Sequence, residues 1–279
     1  MIALFSGTFF FAATMATRVP FLQKIGHLGF SFLLLFVLFT PLEHFFAVRP
    51  GQKVFRAQWW SDAVHFFLNN FITQAIFALG ALGVISLIGP WVPTAFRAAV
   101  ASQPRILQFL EALLLANLGS YCAHRLAHTV PFLWRLHAIH HSVEEMDWLA
   151  AARLHPLDQG IERTFTIIPL FICGFTKETL GGYIVFAAIQ AIFIHANIRL
   201  NLGPLKWVIG TPEFHHWHHS NHPEAYNKNF AGGMPFLDWV FGTLHLPKNE
   251  HPSRYGLDEP IPKTWWKQMT WPFQRTKHR

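Results

Sequence analysis

The chain has 279 residues, of which 52% are hydrophobic and only 13% are charged, and its formal net charge is +7. Soluble domains carry about 25% charged residues, so the composition excludes an ordinary soluble protein and indicates a membrane protein. The chain contains no RNP, zinc-finger or helix-turn-helix pattern, so we expect no nucleic acid partner. We attribute the positive charge to loops beside an anionic membrane surface.

Charge-poor runs predict the helices in chain order. Residues 1–24 form an apolar segment without a signal-peptide cleavage pattern, which we expect to lie in or along the membrane. Three or four of the runs that follow are long enough to cross a bilayer, which takes about 20 apolar residues; these runs are 25–42, 63–96, 106–123 and 179–198. The run 164–176 is too short, and we expect half of a tight hairpin with 179–198 or a re-entrant segment.

These runs predict an all-α integral membrane protein with about four transmembrane helices and a cytoplasmic helical cap that holds a histidine cluster. The predicted organisation is an N-terminal apolar segment at 1–24, a membrane-embedded domain at 25–250 and a basic tail with Pro and Trp at 251–279. Of the 22 Lys and Arg residues, 17 fall on the side of the histidines. The positive-inside rule therefore places the histidines in the cytoplasm.

Eighteen histidines are present, and three groups of them have a regular spacing. The groups are HRLAH at 124–128, HAIHH at 137–141 and HHWHH at 215–219. Positions i, i+3 and i+4 of a helix share one face, so each group directs its imidazoles to one point. Neutral imidazole binds iron, zinc and copper, and three groups exceed the four ligands of one tetrahedral zinc site. The spacing therefore predicts two metal ions held almost entirely by nitrogen.

The order of these boxes between membrane crossings resembles the fatty acid hydroxylase / sterol desaturase superfamily of integral-membrane di-iron oxygenases. The segments LWRLHAIHHSVEEMDWLAAARLHPLD, FIHANIRL and NKNFAGGMPFLDWVFGTLHLP are similar to further motifs of that family. The resemblance covers about residues 115–250. Before residue 100 it extends only to PLEHFF and RAQWWSD, together with the apolar pattern.

The resemblance implies a set of metal ligands and a set of carboxylates that orient them. The ligands would be His124, His128, His137, His140, His141, His195, His215, His218 and His219, with His155 either a tenth ligand or a hydrogen-bond partner of one. The orienting carboxylates would come from Glu145, Asp147, Asp158, Glu213 and Asp238. His216 and His222 are not expected to bind metal, although the sequence leaves both open. We expect no catalytic residue beyond the metal centre.

The resemblance also implies the reaction. An enzyme of this family uses two iron ions, O2 and external electrons to hydroxylate or desaturate an unactivated C–H bond of a lipid or sterol, and zinc could replace iron in a recombinant sample. Hydroxylation is favoured, with desaturation as the alternative. The chain has no GxGxxG or CxxC pattern, so a separate ferredoxin, rubredoxin, cytochrome or reductase would supply the electrons. A metal transporter or a structural zinc protein is less favoured, because the histidines lie at helix ends and in loops rather than along a membrane path.

Overall fold

A computed structural model describes residues 21–248 and 250–274. Within these residues the chain forms ten α-helices and no β-strand, which confirms the all-α fold. Most of the predicted N-terminal segment lies outside the described residues. The helices are α1 Phe21–Phe45, α2 Trp59–Ile88, α3 Thr94–Ser102, α4 Arg105–Thr129, α5 Pro131–His141, α6 Pro156–Cys173, α7 Lys177–His195, α8 Pro212–His218, α9 Phe236–Val240 and α10 Trp265–Thr270.

Four helices are long and apolar enough to cross a membrane, namely α1, α2, α4 and α7. Each contains most or all of one of the four long charge-poor runs. Their outer faces expose large aliphatic side chains; Leu79 and Leu87, for example, are each 73% exposed. Exposed apolar surface of this extent is unfavourable in water, so these faces suit contact with lipid.

Helix α6 differs from the expectation for the short run at 164–176. That run is the second half of an 18-residue helix, whose first half carries the polar residues of the segment. Apolar residues of this second half share one hydrophobic cluster with residues near the start of α7, but the helix packs chiefly along α4 and α2. Gly119 of α4 allows this close approach, because a Cβ there would lie 2.2 Å from the carbonyl oxygen of Phe165. The run is therefore part of a longer helix rather than a re-entrant segment, and the connection of this helix to α7 through residues 174–176 agrees with the expected hairpin.

Polar contacts bring several helix ends to one end of the bundle. The Glu43 carboxylate at the end of α1 accepts hydrogen bonds from the backbone N–H groups of Trp148 (2.6 Å) and Asn197 (3.0 Å). Arg56, which precedes α2, binds both Asp62 (2.7 Å) and Asp147 (2.6 Å). These contacts link the ends of α1, α2 and α7 to the 142–155 loop that follows α5, where the histidines gather.

The described part of the predicted C-terminal tail packs against α2. The indole N–H of Trp265 donates a hydrogen bond to the side chain of Asn69 (3.0 Å), and His65 contacts Gln268 (2.6 Å). Trp265 itself is buried. Residues around α10 therefore complete the outer wall of the bundle beside the 153–156 turn.

Candidate metal centre

Two groups of histidines occupy this end of the bundle, and within each group one nitrogen of every ring lies within 4.8 Å of the others. The first group, here called cluster 1, comprises His124, His128, His137, His141 and His218. The second, cluster 2, comprises His140, His195, His215 and His219. The clusters adjoin, because the rings of His141 and His219 stack with centroids 4.6 Å apart.

Local structure explains how each ring reaches its cluster. Pro131 begins α5, and the i, i+3 and i+4 positions of this helix carry His137, His140 and His141. The Thr211 hydroxyl accepts a hydrogen bond from the Phe214 N–H and caps α8, which carries the third box. Helix α4 delivers His124 and His128 from its last two turns, and α7 delivers His195 from its last turn.

Most of the rings are oriented by hydrogen bonds that their Nδ1–H groups donate away from the clusters. His124 donates to the carbonyl of Phe230 (2.8 Å) and His137 to the carboxylate of Asp158 (2.9 Å). The remaining three donate to backbone carbonyls: His140 to Arg153 (2.9 Å), His195 to Ala191 (2.6 Å) and His218 to Lys228 (2.7 Å). A neutral imidazole has one N–H, so each of these rings directs a bare Nε2 inward.

Bare nitrogens therefore face each other at short range. The Nε2 atoms of His124 and His137 lie 3.0 Å apart in cluster 1, and those of His140 and His195 lie 3.1 Å apart in cluster 2. Two lone pairs cannot form a hydrogen bond with each other. A bound cation would resolve both contacts, and the all-imidazole donor set fits iron, zinc or copper. The residues present thus fit a pair of transition-metal ions.

Burial keeps these rings in the form that binds metal. It lowers the pKa of His140, His141, His215 and His219 well below the ordinary value. It lowers the pKa of His218 to about 3. Additional buried nitrogens, including Nε2 of His128, His141 and His218, have no hydrogen-bond partner within the described chain. The rings with lowered pKa values are therefore neutral imidazoles with lone pairs available for coordination.

The structure brings together nine of the ten predicted ligands and leaves His155 apart. His155 caps α6, where its Nδ1 accepts a hydrogen bond from the Leu157 N–H (3.2 Å) and its Nε2 donates to the carbonyl of Met269 (3.2 Å). Both nitrogens are thus engaged outside the clusters. His216 links Tyr255 to the carbonyl of His195 (3.2 Å), and His222 contacts Ser253.

The five predicted orienting carboxylates lie in different environments. Asp158 contacts His137 directly. Asp238 acts indirectly. Its carboxylate accepts hydrogen bonds from the N–H groups of Phe230 and Ala231, and these fix the Phe230 carbonyl that orients His124. Asp147 binds Arg56 instead. Glu145 and Glu213 are half-buried and make no hydrogen bond to a histidine among the described residues.

A buried charge network that the sequence did not predict supports His140. Arg153, whose carbonyl orients that ring, bonds through its guanidinium to both carboxylate oxygens of Asp62 (2.5 and 2.9 Å). Asp62 in turn binds Arg56. The signal was present in RAQWWSD, where Arg56 and Asp62 flank the start of a long apolar helix. A charged pair in such a position is costly unless it has buried partners.

A cavity of about 340 Å³ extends from the histidines between α2, α4, α6 and α7. His124 and His137 of cluster 1 line it, as do His140, His195 and His215 of cluster 2. Its volume lies at the lower end of the range of about 300–1,000 Å³ for small-molecule sites. Apolar side chains such as Leu35, Phe66 and Ile184 form much of the remaining wall.

A family model described as fatty acid hydroxylase matches residues 109–243, and these residues include every histidine of the two clusters. The ornithine lipid hydroxylase OlsE of Rhizobium tropici is 27% identical over 248 residues, which are 88% of this chain and 73% of that protein. No solved structure matches the chain.

Alkylglycerol monooxygenases match over a shorter region. The enzyme of Xenopus tropicalis is 33% identical over 148 residues, 52% of this chain and 32% of that protein. The enzyme of Homo sapiens is 33% identical over 152 residues, 54% of this chain and 33% of that protein. The match thus spans about a third of the length of these two relatives. Over residues 109–243 the chain is therefore similar to the fatty acid hydroxylase family, and the order of its motifs and the geometry of its clusters agree with that similarity.

Proposed function

We propose that this protein is a membrane-bound non-haem di-iron oxygenase that uses O2 and external electrons to hydroxylate an unactivated C–H bond of a lipid. The observation that carries the proposal is the pair of adjoining histidine clusters, each with bare nitrogens at about 3 Å, at the end of one cavity. Metal transport is not favoured, because the clusters lie together at helix ends rather than along a membrane path.

Cluster 1 would hold one iron ion and cluster 2 the other. When bound, the two ions supply the activation of O2 and the cleavage of the C–H bond. The chain orients the ligands: Asp158 and four backbone carbonyls fix ring directions through Nδ1. Such partners typically change metal affinity by about 10- to 100-fold. The apolar cavity walls would exclude water and hold one C–H bond at the cluster face.

Hydroxylation is favoured over desaturation by the relatives. Both the ornithine lipid hydroxylase and the alkylglycerol monooxygenases are named for insertion of oxygen. The same names support a lipid that enters from the bilayer as the substrate. Zinc found in a recombinant sample would be a substitute for iron, since imidazole binds both.

We propose that the histidine end of the bundle faces the cytoplasm, as the distribution of Lys and Arg favours. A separate ferredoxin, rubredoxin, cytochrome or reductase would deliver electrons there. The basic residues on that side, Arg49 and Lys228 among them, would attract an acidic carrier. The docking partner would then approach from the side opposite to the end of the cavity through which the lipid would enter.

Metal analysis tests the cofactor. After expression in iron-replete cells and purification without chelators, we expect two iron ions per chain. Zinc alone under these conditions would contradict the di-iron assignment. Reduced, iron-loaded protein should then consume O2 in the presence of its lipid, and 18O2 should label the product.

Comparative lipidomics tests the reaction. Cells that express the intact protein should contain a lipid heavier by one oxygen atom than a lipid of control cells. The His140→Ala variant should lack this product, because its ring is a member of cluster 2. Persistence of the product with that variant would contradict the assigned site.

A further inference from the structure

One part of the cavity wall is polar although the wall around it is mostly apolar. Ser120 of α4 and Glu162 and Arg163 of α6 all line the cavity. The Ser120 hydroxyl donates a hydrogen bond to a carboxylate oxygen of Glu162 (3.1 Å). Membrane-embedded cavities bear charged side chains at a substantial energetic cost, so their presence generally marks a functional site.

These residues lie one helical turn from the metal centre. Ser120 precedes His124 by four residues on α4, and Glu162 follows Asp158 by four residues on the antiparallel helix α6. Four residues of helix correspond to about 6 Å. Ser120, Glu162 and Arg163 therefore lie on the membrane side of the histidines. Their separation from the histidines corresponds to the length of a few carbon–carbon bonds.

Glu162 and Arg163 can contact a ligand at two different places in the cavity. Adjacent residues on a helix project about 100° apart, so Glu162 and Arg163 face the cavity in different directions. A carboxylate accepts hydrogen bonds, whereas a guanidinium carries five N–H donors and can bind an anion in addition to another partner. A cationic ligand group would interact favourably with the Glu162 carboxylate.

We propose that Ser120, Glu162 and Arg163 bind the zwitterionic head group of the lipid substrate, with its ammonium group at Glu162 and its carboxylate at Arg163. This inference rests on the proposed function and names its substrate class. A head group held one turn from the clusters places the carbons of the head group, or the first few carbons beyond it, at the metals. Oxidation therefore occurs near the head group and not far along an acyl chain.

Ligand binding to the full-length, metal-loaded protein in detergent micelles tests this proposal without turnover. The probes are N-hexadecanoyl-lysine, which has a free ammonium and a free carboxylate, hexadecylamine and hexadecanol. We expect N-hexadecanoyl-lysine to bind at least about tenfold more tightly than hexadecanol, because hydrogen bonds to charged groups contribute about 1.5–3 kcal/mol.

Two variants separate the roles of the charges. Glu162→Gln should weaken both amine probes about tenfold and leave hexadecanol unchanged. Arg163→Gln should weaken only N-hexadecanoyl-lysine by about that factor. The matched control is Glu178→Gln, whose carboxylate is exposed at the start of α7 and should not affect any probe. Should either cavity variant fail to fold, as judged by its metal content, Ser120→Ala provides a milder change, and a smaller loss of amine binding is expected.

Two results would overturn the inference: hexadecanol binding as tightly as N-hexadecanoyl-lysine, or cavity variants that weaken all three probes equally. Neither result would affect the oxygenase assignment, which depends on iron content and 18O2 incorporation. Conversely, loss of the iron assignment would leave a measured head-group preference intact. The two proposals can therefore fail separately.

Discussion

Asp158 is the one carboxylate among the described residues that contacts a cluster histidine, at 2.9 Å from Nδ1 of His137. We predict that Asp158→Asn lowers the affinity of the protein for iron by about 10- to 100-fold, because the amide is uncharged and the ring loses a charge-assisted hydrogen bond. Competition with a chelator of known affinity measures this change. The variant Asp258→Asn is the control, since that exposed carboxylate bonds the Asn221 side chain.

His216 and His219 form a matched pair, because both are buried histidines of the same box. Only His219 has a nitrogen in a cluster, 3.1 Å from Nε2 of His215, whereas His216 bonds Tyr255 and the carbonyl of His195. We predict that His219→Gln reduces the iron bound per chain and that His216→Gln retains two iron ions with a lower melting temperature. Equal metal loss in both variants, measured by plasma emission spectrometry, would refute this distinction.

At the scale of helices, the packing of α6 on α4 depends on the absence of a side chain at residue 119. A Cβ at Gly119 would lie 2.2 Å from a backbone oxygen of α6, which cannot move without shifting the helix. We predict that Gly119→Ala destabilises the protein by about 1–3 kcal/mol or more. Thermal unfolding in detergent measures the effect.

The control for this prediction is Gly181→Ala on α7, where an added Cβ would have no neighbour within 4 Å. Alanine has a higher helix propensity than glycine by about 1 kcal/mol, so this variant should be neutral or slightly more stable. A Gly119→Ala protein as stable as Gly181→Ala would show that the two helices are free to separate.

Helix α6 also shows what the apolar pattern could not predict. The runs over α1, α2, α4 and α7 identified those helices because their charge-free stretches are long. In α6 the residues Asp158, Gln159, Glu162 and Arg163 interrupt the pattern, so only its second half, 164–173, was visible as an apolar run. These polar residues line the cavity, so their side chains avoid lipid contact although the helix lies within the bundle.

At the scale of the whole molecule, one end of the bundle carries the histidines and the other carries the start of α7. We predict that a membrane-impermeant maleimide labels Glu178→Cys but not Lys263→Cys in intact cells, in a background with Cys122→Ala and Cys173→Ala. The reason is the predicted topology, which puts 16 of 21 Lys and Arg residues on the histidine side once Arg163 of the cavity wall is set aside; this excess favours retention of that side in the cytoplasm. The reverse labelling pattern would require the opposite orientation.

Although His195 was expected only from the family resemblance, the histidine spacing placed eight of the nine cluster rings on shared helix faces, because i, i+3 and i+4 geometry is local to a helix. It could not predict the division into two groups, in which His140 and His141 are neighbours in sequence but belong to different clusters. That division depends on the relative rotation of α5 and α8. It also could not exclude His155, whose nitrogens are occupied by Leu157 and Met269, the second of which is remote in sequence.

Backbone carbonyls accept four of the five outward hydrogen bonds from the cluster histidines, at residues 153, 191, 228 and 230. Every amino acid has a carbonyl, so a point mutation at Ala191, Lys228 or Phe230 changes the side chain and not the acceptor. Substitutions at these positions should therefore leave the orientation of the rings unchanged, provided that the backbone keeps its conformation. Lineages of such enzymes can diverge widely around their metal centres while the inward-facing nitrogens stay in place.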